Sequence, residues 1–210
     1  MKVVEINNLT KTFGEKKLFV KYSMSVEENE FIVIKGKSGA GKSTLLNIIG
    51  LLEKKDMGDI VLFGQKNIKP FSRAASNILK NRIGYLFQNY ALVDEETVIY
   101  NMKLAIENQK IAHSSDLIKH ALNEVGLNNY EMKRVYKCSG GEQQRIAIAR
   151  LLIKPCDLIL ADEPTGSLDK ENKMLIFDLL LKLKKMGKTL IVVTHDDELV
   201  GIADRVIEIV

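Results

Sequence analysis

The stretch EFIVIKGKSGAGKSTLLNIIG, Glu30 to Gly50, decides the fold class of this 210-residue chain. It opens with a short β-branched apolar run that ends at Gly36, and leucines and isoleucines at helical spacing follow the glycines directly. A strand, a glycine-rich loop and a helix in that order are typical of α/β proteins with a parallel sheet. We therefore expect an α/β fold.

The glycine-rich loop satisfies the G-x-x-x-x-G-K-[ST] pattern from Gly36 to Ser43. Glycines let the backbone turn tightly, so that its amides point at phosphate oxygens, and the helix N-terminus adds partial positive charge. Lys42 is expected to reach the β and γ phosphates of a nucleotide, and the Ser43 hydroxyl to ligate Mg²⁺. The residues expected to surround the phosphates are Ser38, Gly39, Ala40, Gly41, Lys42, Ser43 and Thr44. A chance glycine-rich turn is the alternative, and the strand-to-helix context argues against it.

Two acidic residues and a histidine end apolar runs further along the chain. Asp162 follows the run LILA, so its carboxylate is expected at the carboxyl end of a strand, where it is suited to hold Mg²⁺ through water. Glu163 comes next, and a second carboxylate there can orient or deprotonate the water that attacks a γ-phosphate. His195 ends the run TLIVVT and could donate a hydrogen bond to that phosphate or to that carboxylate. The alternatives without a catalytic function are that Asp162 and Glu163 cap a turn at the surface and that His195 is a structural residue.

A helical segment interrupts the alternation of strands and helices. Strands are predicted at GDIVLFG, IGYLFQ, DLILAD, TLIVVTH and RVIEIV. Between Thr97 and Glu124 the apolar residues change to helical spacing, with Ser114 or Ser115 available as N-cap and Gly126 as the stop. We expect a single domain over residues 1–210. Its nucleotide-binding core would comprise 1–88 and 152–210, and its helical subdomain about 95–151.

Composition places the chain among ordinary soluble globular proteins. Apolar residues make up 46% of the sequence, charged residues 28%, and the net charge is +4. The lysines form no long basic run with interleaved aromatics, so no nucleic-acid partner is expected. Cys138 and Cys156 suit neither a metal site nor a disulfide framework, which favours a reducing interior. The N-terminus lacks the apolar core of a signal peptide, and no uncharged apolar run reaches about 18 residues, so we expect another chain to supply any membrane-spanning part.

A second glycine pair opens another helix in YKCSGGEQQRIAIAR, Tyr136 to Arg150. The amides at that helix start are also available to an anion. One chain cannot readily bring both helix starts to the same phosphate, because the helical segment separates them. A second copy, arranged head to tail with two-fold symmetry, could do so.

A set of motifs carries a family resemblance: GKSGAGKST, YLFQ, CSGGEQQR, LILADEPTGSLD and VVTHD. Together they resemble the ATPase subunits of ABC transporters over nearly the whole chain. The finer pattern is similar to the bacterial branch of lipoprotein-release, macrolide-efflux, and bacteriocin-export or peptide-resistance ATPases. The resemblance implies a P-loop NTPase core of the RecA type with a mainly parallel sheet, an N-terminal antiparallel β part and an inserted α-helical subdomain.

The resemblance also implies an activity and partners. The activity is hydrolysis of ATP to ADP and phosphate with Mg²⁺, coupled to transport by an integral-membrane permease on a separate chain. The subunit would form a homodimer on binding ATP. It would be cytoplasmic and peripheral, held on the inner face of the cell membrane through its permease. Its cargo would be a peptide, bacteriocin, lipoprotein or drug that is exported or extracted.

Site residues follow from the same resemblance. ATP would be sandwiched between the phosphate loop of one subunit and a signature segment of the other, here Ser139, Gly140 and Gly141. Phe13 falls where the family stacks an aromatic ring on adenine, with core packing as the alternative. Gln88 would touch Mg²⁺ or the attacking water and join the helical subdomain to the core, and Asp169 would lie in the loop that crosses the dimer interface. Cys138 stands where the family usually has leucine, and we expect somewhat looser packing there.

Two other functions are possible on sequence grounds. One is a soluble ABC-type ATPase that acts on DNA or ribosomes. The segment between Thr44 and Ser139 is too short for the long coiled coil of the DNA-repair members, and the chain holds one cassette where the translation factors hold two. The other is a catalytically silent binding module, which the presence of Gln88, Glu163 and His195 disfavours.

Overall fold

The computed structural model describes residues 1–107, 113–166 and 168–209. Its strands are β1 (Lys2–Phe13), β2 (Lys16–Glu27), β3 (Phe31–Gly36), β4 (Met57–Leu62), β5 (Gln65–Lys66), β6 (Ile83–Leu86), β7 (Leu158–Asp162), β8 (Thr189–Val193) and β9 (Arg205–Ile209). Its helices are α1 (Lys42–Ile49), α2 (Arg73–Asn81), α3 (Val98–Leu104), α4 (Ser114–Glu124), α5 (Gly140–Ile153), α6 (Lys170–Lys185) and α7 (Asp197–Gly201). The predicted α/β class, with parallel and antiparallel sheets, is confirmed.

The central sheet is parallel, with strand order β6-β7-β8-β3-β9. Alternate residues of its strands enter two separate apolar clusters. Leu158 and Leu160 pack on the α1 side, whereas Ile159 and Ala161 pack with α5 and α6. A sheet covered on both faces needs apolar side chains at every position, which explains the continuous apolar runs in the sequence.

The second sheet is antiparallel, with strand order β2-β1-β4-β5. Its buried side chains join the cluster that contains the buried face of α1. The Phe19 ring lies close to the phosphate loop, 3.0 Å from where a β-carbon on Gly41 would lie. Pairing of β2 with β1 therefore carries the start of β2 to the glycine-rich loop.

The helical part comprises α3, α4, α5 and a 3-10 turn at Val135–Lys137. The prediction of Ser114 or Ser115 as N-cap of α4 is wrong, because Ser114 is already helical and His113 takes the N-cap position in the left-handed conformation, with φ of 59°. Gly126, the predicted stop, has φ of 71°, which suits glycine beyond a helix end. Part of the predicted subdomain, residues 108–112, lies outside the described residues.

Among residues 1–107, 113–166 and 168–209, no helix combines the length and the apolar character that crossing a membrane requires.

Candidate functional site

The phosphate loop leaves the N-terminus of α1 open to an anion. Gly41 is the N-cap, with φ of 95°, and in the described part of the chain no side chain caps the helix. A β-carbon on Gly41 would lie 3.0 Å from the Phe19 ring, so both the backbone conformation and the space call for glycine. The first amides of α1 therefore remain available for phosphate oxygens.

Lys42 is already turned toward this loop. Its Nζ donates to the carbonyl oxygens of Gly36, at 2.8 Å, and Lys37, at 3.0 Å. The side chain is buried, but an ammonium has three donors and these two bonds leave one for a ligand. The loop thus orients the charge before any anion arrives.

A cavity of about 430 Å³ lies over the loop. Its volume is in the range of small-molecule sites. The lining comprises Phe13, Lys16, Leu18, Ser38, Gly39, Gly41, Lys42, Ser43, Thr44, Gln88, Asp162, Glu163, Val193 and His195. The structure therefore gathers eleven of the sequence-predicted residues at one place. Ala40, Ser139, Gly140, Gly141 and Asp169 are not part of this lining.

Glu163 and His195 meet across neighbouring strands. Glu163 follows β7 in a left-handed conformation, with φ of 47°, and its amide donates to the Val193 carbonyl at 2.8 Å. Its Oε2 accepts from the His195 amide at 3.3 Å, and its Oε1 lies 3.5 Å from His195 Nε2. A left-handed conformation costs a residue other than glycine about 1 kcal/mol or more. This turn aims the carboxylate at the cavity beside Asp162.

Phe13 is exposed over 49% of its surface, so the core-packing alternative does not hold. Lys11 Nζ lies 4.5 Å from the centre of the Phe13 ring and 2.8 Å from Glu53 Oε1. The ring is thus backed by a cation while much of its surface remains free. An exposed aromatic ring at the cavity rim suits stacking on a base.

Lys16 and Leu18 are lining residues that the sequence analysis missed. Lys16 Nζ donates to the Gly39 carbonyl at 3.0 Å, and Leu18 lies against Gly41. The sequence does contain a turn signal, Gly14, between two runs that became β1 and β2. Which side chains of β2 reach the loop depends on the pairing of Phe13 with Lys16, which no local pattern specifies.

Gln88 and Asp162 line both this cavity and a second hollow of about 450 Å³. The Tyr85 and Phe87 rings are stacked there, with centroids 3.9 Å apart, and the Tyr85 hydroxyl donates to Asn47 Oδ1 at 2.7 Å. Burial, with a smaller contribution from Asp162, raises the pKa of Tyr85, so the phenol stays neutral. Gln88 thus lies between the cavity over the glycine-rich loop and a stacked aromatic pair.

The predicted signature segment starts α5 with a capping box. Ser139 Oγ accepts from the Glu142 amide at 3.3 Å, and Glu142 Oε2 accepts from the Ser139 amide at 2.8 Å. Ser139 and Gly140 are exposed. Cys138 is buried just before them, and burial raises the pKa of its thiol. Asp169 is the N-cap of α6 and accepts from the Asn172 amide at 2.8 Å.

Comparison with known proteins confirms the resemblance predicted from the motifs. A family profile described as "ABC transporter" matches residues 19–166. The lipoprotein-releasing system ATP-binding protein LolD of Porphyromonas gingivalis (strain ATCC BAA-308 / W83) is 33% identical over 98% of this chain and 95% of that protein. The macrolide export ATP-binding/permease protein MacB of Chlorobaculum tepidum is 40% identical over 98% of this chain and 32% of that protein. The chain thus spans about a third of the length of its MacB relatives.

Solved structures give the same fold. A dimeric, post-hydrolysis state of the ATP-binding cassette MJ0796, bound to ADP and Pi, has a TM-score of 0.89 and 34% identity over 98% of this chain and 94% of that one. The family profile and the relative LolD each cover most of the chain, and the parallel sheet is the one that the motifs predicted. The chain therefore belongs to the ABC transporter family and is one of its ATP-binding ATPase cassettes.

Proposed function

We propose that this chain is the motor subunit of a membrane transporter, in which ATP closes a head-to-tail dimer of cassettes and hydrolysis reopens it. One observation supports this best. The cavity gathers Lys42, Asp162, Glu163 and His195, while Ser139 at the signature segment is exposed and lies outside it. A second copy could bring that segment to the open side of the cavity.

ATP would lie along this cavity with adenine on Phe13 and its phosphates on the amides from Ser38 to Thr44. Ser43, Asp162 and Gln88 line the same cavity, and each has a side-chain oxygen, the kind of ligand that Mg²⁺ prefers. A bound Mg²⁺ would neutralise charge on the phosphate oxygens. Lys42 needs only to direct its third N–H toward the γ-phosphate, because the loop carbonyls already fix its position.

Glu163 would serve as the base for the attacking water. The His195 amide donates to its carboxylate from the neighbouring strand and the imidazole lies 3.5 Å away, so the carboxylate already faces the position of the water. The water would lose its proton to Glu163 as its oxygen attacks the γ-phosphorus, and ADP would leave. Gln88 lines the same cavity and could position that water.

The signature segment would complete the site in trans. Ser139 Oγ uses an acceptor lone pair on the Glu142 amide, which leaves its O–H free to donate to an anion. The amides of Gly140 and Gly141 lie in the first turn of α5 and lack intrahelical acceptors. Three donors would therefore converge on the γ-phosphate of the other chain.

A third hollow, of about 270 Å³, would receive the permease. Its lining includes Phe87, Leu104, Arg150 and Lys154, and no carboxylate is among its described lining residues. Burial lowers the pKa of Arg150 to about 10 and also lowers that of Lys154. A short permease segment with an apolar face and a carboxylate would fit this hollow.

The names of the relatives support two of the proposed classes of cargo, a drug and a lipoprotein. MacB and LolD are named for macrolide export and lipoprotein release. We propose export or extraction of a peptide, bacteriocin, lipoprotein or drug, with the cassette on the cytoplasmic face of the membrane. Its core would comprise residues 1–88 and 152–210, and its helical subdomain about 95–151, as the sequence predicts.

Replacing Glu163 with Gln tests the scheme. The amide keeps the shape and hydrogen bonding of the side chain but cannot accept the proton, so hydrolysis should fall by roughly 10²–10⁴-fold while ATP still binds. The rate of hydrolysis is measured as the release of inorganic phosphate. Size-exclusion chromatography with light scattering should show a dimer of the variant only with Mg-ATP. Glu198→Gln in α7 is a matched control, because Glu198 is exposed and lies outside the cavity. Unchanged hydrolysis, or a monomer with ATP bound, would contradict the proposal.

A further inference from the structure

The carboxylate of Glu142 accepts a hydrogen bond from the backbone of Ser139, whose hydroxyl is proposed to bind the partner's γ-phosphate. Its Oε2 is 2.8 Å from the Ser139 amide nitrogen, and Ser139 is the first residue of the signature segment. A carboxylate this close to a bound triphosphate would repel it. The chain therefore needs a cation at this point if the segment is to receive a nucleotide.

Lys133 supplies that cation. Its Nζ lies 3.1 Å from Glu142 Oε2 and 4.1 Å from the centre of the Tyr130 ring, and the Tyr130 hydroxyl donates to Glu142 Oε1. In the described part of the chain, Lys133 is the basic residue within ion-pair distance of Glu142. One carboxylate is thus held by an ammonium, a phenol and the Ser139 amide together.

Backbone contacts fix the position of Lys133. Its carbonyl accepts from the Val98 amide at 3.0 Å, at the start of α3, and its own amide donates to the Tyr130 carbonyl at 2.9 Å. The Lys133 side chain is 31% exposed and the Glu142 side chain only 18%, so solvent screens this pair incompletely. An ammonium held this way cancels the charge of Glu142 without occupying the signature amides.

Two nearby cations are placed differently. Arg134 is exposed, donates to the Glu95 carbonyl and lies 3.7 Å from Glu96. Lys137 is exposed, with its Nζ 5.7 Å from the centre of the Tyr136 ring. Neither forms an ion pair with Glu142 in the described part of the chain.

We propose that Lys133 is a positioning residue of the composite nucleotide site, which neutralises Glu142 so that the signature segment can bind the ATP held by a second chain. This inference rests on the proposed head-to-tail dimer. It gives Lys133 no role in binding ATP within its own chain, because Lys133 lies outside the nucleotide cavity. Each dimer would contain two such pairs, so replacing Lys133 should weaken the contact at both composite sites.

The experiment measures dimerisation and ATP binding separately, with every variant built on Glu163→Gln. Sedimentation velocity gives the dissociation constant of the dimer with Mg-ATP, and a fluorescent ATP analogue gives the affinity of the monomer. Lys133→Met should weaken the dimer by roughly tenfold to a hundredfold, because two uncompensated carboxylates then face phosphate. Monomer affinity for the analogue should stay unchanged.

A second substitution separates charge from structure. Glu142→Gln removes the charge and keeps an acceptor for the Ser139 amide, so Lys133→Met with Glu142→Gln should dimerise within about threefold of the parent. Lys133→Arg keeps the positive charge and should dimerise as the parent does. Lys137→Met should leave the dissociation constant of the dimer unchanged. Thermal unfolding of each variant verifies folding, and Lys133→Gln replaces Lys133→Met if that variant does not fold.

Two results would overturn the inference while leaving the proposed function intact. Lys133→Met could dimerise as the parent does, or the double variant could remain as weak as Lys133→Met. In the second case Lys133 would matter to local structure and not to charge. A parent that binds ATP but never dimerises would overturn the proposed dimer, and this inference with it.

Discussion

Gly84 lies in β6, where the strand passes against α5 without room for a side chain. A β-carbon at this position would lie 2.6 Å from Leu151 Cδ2 and 3.1 Å from Cys156 Sγ, and both of those side chains are buried. We expect Gly84→Ala to lower the free energy of unfolding by about 1–3 kcal/mol through overpacking. Urea unfolding followed by circular dichroism measures the change.

Gly201→Ala is the matched control for that substitution. Gly201 ends α7, and a β-carbon there would meet no atom within 4 Å. Alanine should leave stability unchanged or raise it by up to about 1 kcal/mol, because the unfolded chain loses freedom. Equal losses in the two variants would show that packing under α5 is not the cause.

Individual site residues could be predicted wherever a motif fixes both identity and spacing. Lys42 and Ser43 follow from the phosphate-loop pattern, and Asp162 from its place at the end of a buried strand. Lys133 could not be recognised in this way. Its partner Glu142 lies on the other side of the 3-10 turn, and the pairing depends on contacts between the chain around Lys133 and the start of α3.

At the scale of elements, Asp196 joins three segments around the candidate site. Its Oδ2 lies 2.9 Å from Lys173 Nζ in α6 and accepts from Thr165 Oγ1 at 3.2 Å, in the turn after β7. Its Oδ1 accepts from the Glu198 amide at 3.1 Å and so caps α7. Burial alone raises the pKa of Asp196, but Lys173 and the other donors outweigh it, so the folded pKa lies below its usual value.

Asp196→Asn should therefore lower the free energy of unfolding by about 1–2 kcal/mol at pH 7, since the amide loses the charge that pairs with Lys173. The folded pKa is depressed, so this stabilisation is fully present above the unfolded pKa of about 3.9 and is lost as the pH falls through the lower folded value. Denaturant unfolding of both proteins between pH 7 and pH 3 should show the difference shrinking. Asp197→Asn is the control, because that side chain is 88% exposed and should have little effect. If the difference in free energy of unfolding between the parent and Asp196→Asn does not vary with pH, the charge of Asp196 is not its source.

A strand or helix could be predicted from the sequence when all of its residues are buried or exposed in one regular pattern. β7 and β8 are buried on both faces, so their apolar runs could be read directly. The antiparallel sheet was expected only from the family resemblance, because β1 and β2 pair with several register shifts that blur their alternation. The N-cap of α4 was missed because His113 adopts a left-handed conformation that no capping preference specifies.

At the scale of the whole molecule, we propose that one cassette supplies only half of each nucleotide site. The cavity is lined from the phosphate loop to His195, while the exposed Ser139 and Gly140 do not contribute to it. The sequence suggested this division through two glycine motifs, each at the start of a helix. No pattern within one chain specifies the position of a second copy, so the arrangement has to be tested between chains.

Cross-linking between two different variants would test it. Ser38→Cys and Ser139→Cys are each made with Glu163→Gln and then mixed in equal amounts. In a head-to-tail dimer the phosphate loop of one chain faces the signature segment of the other, so a short bis-maleimide should join the two variants when Mg-ATP is present. Because random pairing makes about half of the dimers mixed, up to roughly half of the chains should run at twice the monomer mass on a denaturing gel.

The native cysteines should contribute little, because Cys138 and Cys156 are both buried. Each variant alone provides the control, since its two new thiols lie in different composite sites and should give almost no cross-linked product. Without nucleotide, the mixture should behave like the single variants, because the phosphates supply the contact between chains. Equal cross-linking with and without ATP, or in either variant alone, would mean that the chains associate through another surface. The signature segment would then need a different function from the one that its exposed amides suggest.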